Sequence, residues 1–284
     1  MSNLVFVVLT PALLFRAMSS VHIEQLNFKP VALYFVAVGV LYAVVFTAQG
    51  HNTRAAVLGL AATFSNTVMI GIPLIGLAYG QAALVMLLTL ISVHSLILLT
   101  AATIVLEVME ARQLRAAQAA GDAPARHVWH TVLTAIKNGI IQPVPLPIIL
   151  GLLFAQTGLV IPDVVDRPLQ LLGNAFGPVA LLLVGATLTQ VRVGPHLRAA
   201  LGISLLKNLM LPALVATVCW LSGLRGQELA VMIVAASLPM GANVFLFAQR
   251  YQVSQELVTA SMAVSTVLGL ATITLVMSLV GMLA

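Results

Sequence analysis

Ser65, Asn66 and Thr67 are hydrogen-bonding residues in an unusual place, the middle of an uncharged apolar run from Ala55 to Tyr79. That run is long enough to cross the roughly 30 Å hydrocarbon core of a bilayer. Gly71 and Pro73 follow in the same stretch; proline supplies no N–H and clashes one turn back, so the helix should break at mid-membrane depth. Pro239, Gly241 and Asn243 repeat the pattern inside the run from Leu229 to Ala248. Each break ends one half-helix and begins another, so two helix N-termini with unpaired N–H groups are expected near the midplane, where their positive ends favour a carboxylate. The asparagine amides could donate further hydrogen bonds to that carboxylate without placing a permanent charge in the membrane. The alternative is that they only cap the broken ends. Paired interrupted helices in the two halves of a chain mark the binding site of a secondary transporter. The expected site is therefore Asn66, Thr67, Gly71 and Pro73 crossing Pro239, Gly241 and Asn243.

Two ionisable groups lie deep in other apolar runs. Lys207 is about 14 Å beyond Arg198 along a helix, close to the midplane. A lysine there costs at least about 2.5 kcal/mol on insertion scales, so it needs either a substrate anion or carbonyls released by the broken helices. His94, flanked by Ser92 and Ser95, is a candidate proton relay or a neutral interhelical hydrogen-bond partner. Arg16 lies nearer a span end, where snorkelling is the simpler reading. The eight carboxylates, Glu24, Glu107, Glu110, Asp122, Asp163, Asp166, Glu228 and Glu256, all fall in loops or at span ends. A cation or proton antiporter normally carries one near the midplane. The chain has no His-Glu-x-x-His, Gly-x-Ser-x-Gly or phosphate-loop motif, and its single cysteine, Cys219, rules out an intrachain disulfide. No enzyme, metal or cofactor is called for.

The elements that must position these residues are apolar helices. A chain 61% hydrophobic and 7% charged, with mean hydropathy +1.09, is a polytopic all-α membrane protein whose first partner is the lipid bilayer. The net charge of +5 is dispersed between apolar segments, which argues against nucleic acid. Nine candidate spans follow: Leu4 to Ser19, Val31 to Ala48, Ala55 to Tyr79, Ala82 to Leu106, Val132 to Thr157, Leu169 to Thr189, Ala199 to Leu221, Leu229 to Ala248 and Leu257 to Leu283. Gln142 among Pro143, Pro145 and Pro147 suggests a kink in the fifth. The polar stretch 107–131 reads as a hinge between a first unit at 1–106 and a second at 132–284. Arg54, Arg112, Arg115, Arg126, Arg192, Arg198 and Arg250 fall on the hinge side and outnumber Lys29, Arg167 and Arg225 opposite, which makes the central loop cytoplasmic.

The two units are related. Pro11 to Ala17 in the first span resembles Pro178 to Ala186 in the sixth, and the second, third and fourth spans then pair in order with the seventh, eighth and ninth. The fifth has no partner, and an equivalent helix would lie upstream of Met1. Five spans per repeat, an odd number, give the halves opposite topology, an inverted repeat.

Leu9 to Phe15 (Leu-Thr-Pro-Ala-Leu-Leu-Phe), Asn66 to Leu74 with its Gly-x-Pro-Leu ending, Pro239 to Asn243 (Pro-x-Gly-x-Asn) and the Phe247-Ala248-x-x-Tyr251 tail together resemble the auxin efflux carrier family, which includes plant PIN carriers and bacterial malonate- or malate-type permeases. The resemblance implies ten helices in two inverted five-helix repeats, two crossing broken helices and a cytoplasmic central loop. It also implies a permease for a small organic anion, a mono- or dicarboxylate, in a bacterial inner membrane. A homodimer is compatible with this plan. From the residues alone, a passive anion channel and a non-transporting scaffold or sensor stay open beside the carrier.

Overall fold

The computed structural model describes residues 4–21, 26–117, 145–188 and 194–283. Most of the hinge 107–131, the start of the fifth span and Gln142 lie outside the described residues. Among the described residues eleven α-helices follow one another: α1 Thr10–Met18, α2 Phe28–Ala48, α3 Thr53–Thr63, α4 Ile72–Ala117, α5 Pro145–Gln156, α6 Asp163–Leu188, α7 Leu197–Leu205, α8 Leu211–Leu221, α9 Gly226–Ser237, α10 Asn243–Arg250 and α11 Gln255–Leu283. Asparagines start two of them: Asn27 accepts from the Lys29 N–H and Asn52 from the Ala55 N–H. Within α4, Gly80 takes φ 77° and ψ −167°, a backbone that side chains other than glycine rarely adopt, so two helices meet there. The third and fourth apolar runs of the sequence divide at the same point.

Prolines shape three other joints. Wide π turns at Val5–Leu9, Thr67–Gly71 and Leu206–Met210 lead into α1, α4 and α8, and Pro11, Pro73 and Pro212 follow directly. The residue before each proline donates five residues back: Thr10 to Val5, Ile72 to Thr67 and Leu211 to Leu206. A proline ring collides with the carbonyl one turn earlier, here Val7, Met69 or Asn208. Widening the turn from i−4 to i−5 relieves that collision.

Among the described residues, Phe28–Ala48, Thr67–Met109, Gly194–Leu221 and Gln255–Gly281 are long and apolar enough to span a bilayer. With 11 and 12 residues, α3 and α9 reach about 17 Å each, roughly half of the hydrocarbon core. The outward surface is apolar as well. Val36, Val40 and Val44 are about half exposed along one side of α2, while Tyr34, Ala37, Val38, Leu41 and Val45 face inward. A stripe of valines at this spacing is suited to lipid as solvent.

The packing sets α3 and α9 at the centre. Helix α9 lies against α4, α8 and α11, and both of its faces are buried from Leu229 to Ser237. Helix α3 lies against α2 and α4, with Ala55 to Thr63 buried throughout. Meanwhile α1 packs on α5 and α6, and α6 touches the turn Thr67–Gly71. The ends of α3 and α9 are thereby held inside the bundle.

Candidate functional site

Helix α3 stops at Thr63 because Phe64 turns extended, at φ −83° and ψ 111°. Helix α9 stops at Ser237, where Leu238 takes φ −58° and ψ 147° ahead of Pro239, as the restriction on a residue before proline requires. The two extended pieces then run antiparallel and pair at Ser65 and Met240. Asn66 N–H donates to the Pro239 carbonyl at 2.8 Å, and Gly241 N–H donates to the Phe64 carbonyl at 3.0 Å. Backbone groups that lipid would leave unsatisfied are thus paired across the crossing.

The two glycines of the expected site are there for space. A Cβ on Gly241 would sit 2.7 Å from Cδ1 of Phe64, and one on Gly71 would sit 2.8 Å from Cδ1 of Leu238. Thr67, Pro73 and Pro239 are buried beside them. The asparagines differ. Asn66 is half-buried, and its Oδ1 accepts from the Met69 N–H at 3.2 Å, which caps the turn Thr67–Gly71. Asn243, also half-buried, is the first residue of α10 and follows Ala242 at the N-cap. Among the described residues, no hydrogen bond engages the Asn66 amide nitrogen or either polar atom of the Asn243 side chain, so both amide nitrogens are donors open to a solute.

Lys207 is fully buried in the turn Leu206–Met210. Its Nζ donates to the carbonyls of Ala236 at 2.7 Å and Leu238 at 2.6 Å. Of the two readings of this lysine, the geometry displays the bond to released carbonyls. The ammonium caps the C-terminal end of α9, where helix carbonyls lack N–H partners and the dipole is negative.

His94 is buried against the crossing, its ring 4.8 Å from that of Phe64. Its Nε2 lies 3.5 Å from the Tyr34 hydroxyl, which lies 3.3 Å from Oγ of Ser65, while its Nδ1 has no partner. Arg16 is partly exposed and ion-paired. Its Nε and Nη2 donate to the two carboxylate oxygens of Asp166 at 2.7 and 2.9 Å, a forked pair joining α1 to the first turn of α6.

Sequence reasoning missed the second polar layer. Ser265 on α11 accepts from the Met240 N–H at 3.0 Å and donates to Oδ1 of Asn208 at 2.7 Å, and Asn208 Nδ2 donates back to the Ser265 carbonyl at 2.8 Å. One turn away, Ser204 Oγ donates to the Ser261 carbonyl at 3.2 Å. The signal was present as two i, i+4 polar pairs, Ser204 with Asn208 and Ser261 with Ser265, in otherwise apolar runs.

Two cavities are lined by residues other than those of the crossing. One, of about 500 Å³, is lined by residues including Arg16, Gln81, Asp163 and Asp166. The other, of about 460 Å³, is lined by residues including Arg54, His196, Gln252 and Glu256. The first gathers the loops near residues 20, 80 and 160, and the second those near 54, 196 and 254.

These apolar helices, packed about a polar crossing, define an integral multi-pass membrane protein. The chain belongs to the family described as "Membrane transport protein", whose profile matches residues 1–277; it is the family of the auxin efflux carriers. It is therefore a transport protein and not an enzyme. Among curated relatives, the "Putative malonate transporter" of Rhizobium meliloti (strain 1021) is 25% identical over 280 residues, covering 93% of this chain and 81% of the relative. The auxin efflux carrier component 8 of Arabidopsis thaliana is 23% identical over 241 residues, covering 73% of this chain and 66%, just under two thirds, of that relative.

Proposed function

We propose that the chain is a secondary carrier for a small organic anion, a mono- or dicarboxylate, working by alternating access at two crossed broken helices. The observation that carries this reading is the antiparallel pairing of residues 64–66 with residues 239–241, flanked by the unengaged amide nitrogens of Asn66 and Asn243. Each interrupted helix then counts as one span made of two halves, α3 with the start of α4 and α9 with α10. On this count the nine spans, the inverted repeat and its units at 1–106 and 132–284 are retained. The gathering of Arg54 and His196 with the loop at 252–256 supports a single face for those loops, which the arginine bias makes cytoplasmic. A relative named a malonate transporter supports a carboxylate.

In this reading Asn66 and Asn243 bind the carboxylate, Thr67, Gly71, Pro73, Pro239 and Gly241 keep the backbone open and close together, and Lys207 adds positive potential from behind without touching the solute. His94 is a neutral partner of Tyr34 in the wall of the site. Counterflow of radiolabelled malonate in proteoliposomes tests the proposal. Saturable exchange is expected; unsaturable flux would mean a channel, and absence of flux with every mono- and dicarboxylate tried would mean a scaffold.

A further inference from the structure

We propose that the ammonium of Lys207 is a tethered replacement for a mobile monovalent cation at the carbonyl end of α9, so that the crossing is held together without any dissociable ion. For its consequence on coupling, this rests on the carrier reading above. The geometry itself does not.

Ala236 and Leu238 direct their carbonyl oxygens to one point, 2.7 and 2.6 Å from Nζ. Leu238 precedes Pro239, whose own carbonyl takes the Asn66 N–H that closes the crossing. The charge at this point therefore fixes the strand on which the pairing with residues 64–66 depends. Among the described residues, the hydrogen-bond partners of the ammonium are these two carbonyl dipoles. The ion pairs among the described residues are Arg16 with Asp166, His196 with Glu256 and Arg250 with Glu107, none of which reaches the crossing. A dehydrated cation held by main-chain carbonyls, with no carboxylate, is the coordination that alkali ions adopt in carbonyl-lined filters. Here a helix C-terminus adds its negative end.

The chain reaches this point by a specific device. Lys207 sits in the π turn ahead of Pro212, and its neighbour Asn208 is locked to Ser265, which also holds the Met240 N–H. One turn thus supplies the cation for one side of Pro239 and, through Asn208, holds the Ser265 hydroxyl that accepts on the other. A free ion at these carbonyls would leave and return with its gradient, and the crossing would assemble and loosen with it. A tethered one cannot leave, so sodium and potassium gradients have no purchase here.

The test begins with stability. Lys207→Ala removes the ammonium and opens space beside the two carbonyls. Purified in choline chloride, it should unfold at a lower temperature than the wild type. Ammonium or ethylammonium chloride should raise its Tm saturably, with no such effect on the wild type, because a ligand that binds only the folded state stabilises it. Equal Tm values in all these salts would overturn the proposal. Lys207→Met, which fills the volume without a charge, is the control against a mere packing role. Its Tm should fall and amines should not restore it, whereas wild-type stability in this variant would also overturn the proposal.

The second measurement uses the wild type in proteoliposomes at zero membrane potential. Malonate counterflow should be unchanged when sodium and potassium are replaced by choline, and dependence on either ion would overturn the proposal. If no carboxylate is transported under any condition, the carrier reading fails, while amine rescue of Lys207→Ala would still establish the tethered cation.

Discussion

Asn66 and Asn243 flank the same crossing, yet their bonding differs. Asn66 spends its Oδ1 on the Met69 N–H, whereas Asn243 has no cap to keep. Alanine should therefore separate binding from folding. Asn66→Ala should lose about 1 kcal/mol of cap stability together with carboxylate binding. Asn243→Ala should unfold near the wild-type temperature but lose the stabilisation that malonate confers. Thermal unfolding with and without malonate reads both, and an Asn243→Ala protein stabilised by malonate as strongly as wild type would move the site away from the crossing.

Among the elements, the proline-led π turns have the clearest consequence. Pro212 stands two residues beyond the turn that carries Lys207 and Asn208. In an isolated helix, replacing proline by alanine favours the helix by about 3 kcal/mol. Here the opposite is expected. Closing the wide turn to ordinary α-helix would rotate α8 relative to Lys207 by one residue, about 100°, so that either the packing of α8 or the bonds to Ala236 and Leu238 would be lost. Pro212→Ala should therefore lower the Tm. A higher Tm would show that the wide turn is not held open by the proline.

On the scale of the whole molecule, Arg16 and Asp166 join helices 150 residues apart in the chain. The forked hydrogen bond to Arg16 holds the Asp166 carboxyl below its usual value near 3.8, ahead of the apolar stretch that begins at Leu169. A carboxylate depressed on folding contributes stability that is complete above its unfolded value and disappears as pH falls through the folded one. Asp166→Asn should accordingly be less stable than wild type at neutral pH, with the difference shrinking as the pH drops below about 3.8. Thermal unfolding across that range checks it. A gap that persists in strong acid would mean that the aspartate acts by packing and not by charge.

Much of this architecture was legible before any coordinates. The apolar runs and their lack of charge dictate a membrane protein, because no water-soluble core could hide so much hydrocarbon. Pro239 follows the end of α9 and Pro73 opens α4 behind its wide turn, because a proline removes a donor and adds a clash, effects that act within one turn and so can be read locally. Even Gly80 falls where two apolar runs part. What the residue order could not disclose is pairing across long separations. Whether Lys207 meets a solute or the Ala236 and Leu238 carbonyls, whether Arg16 finds Asp166, and whether Asn208 finds Ser265 all depend on which helices pack together. In an apolar medium every polar group must find a partner, but the choice of partner belongs to the tertiary structure.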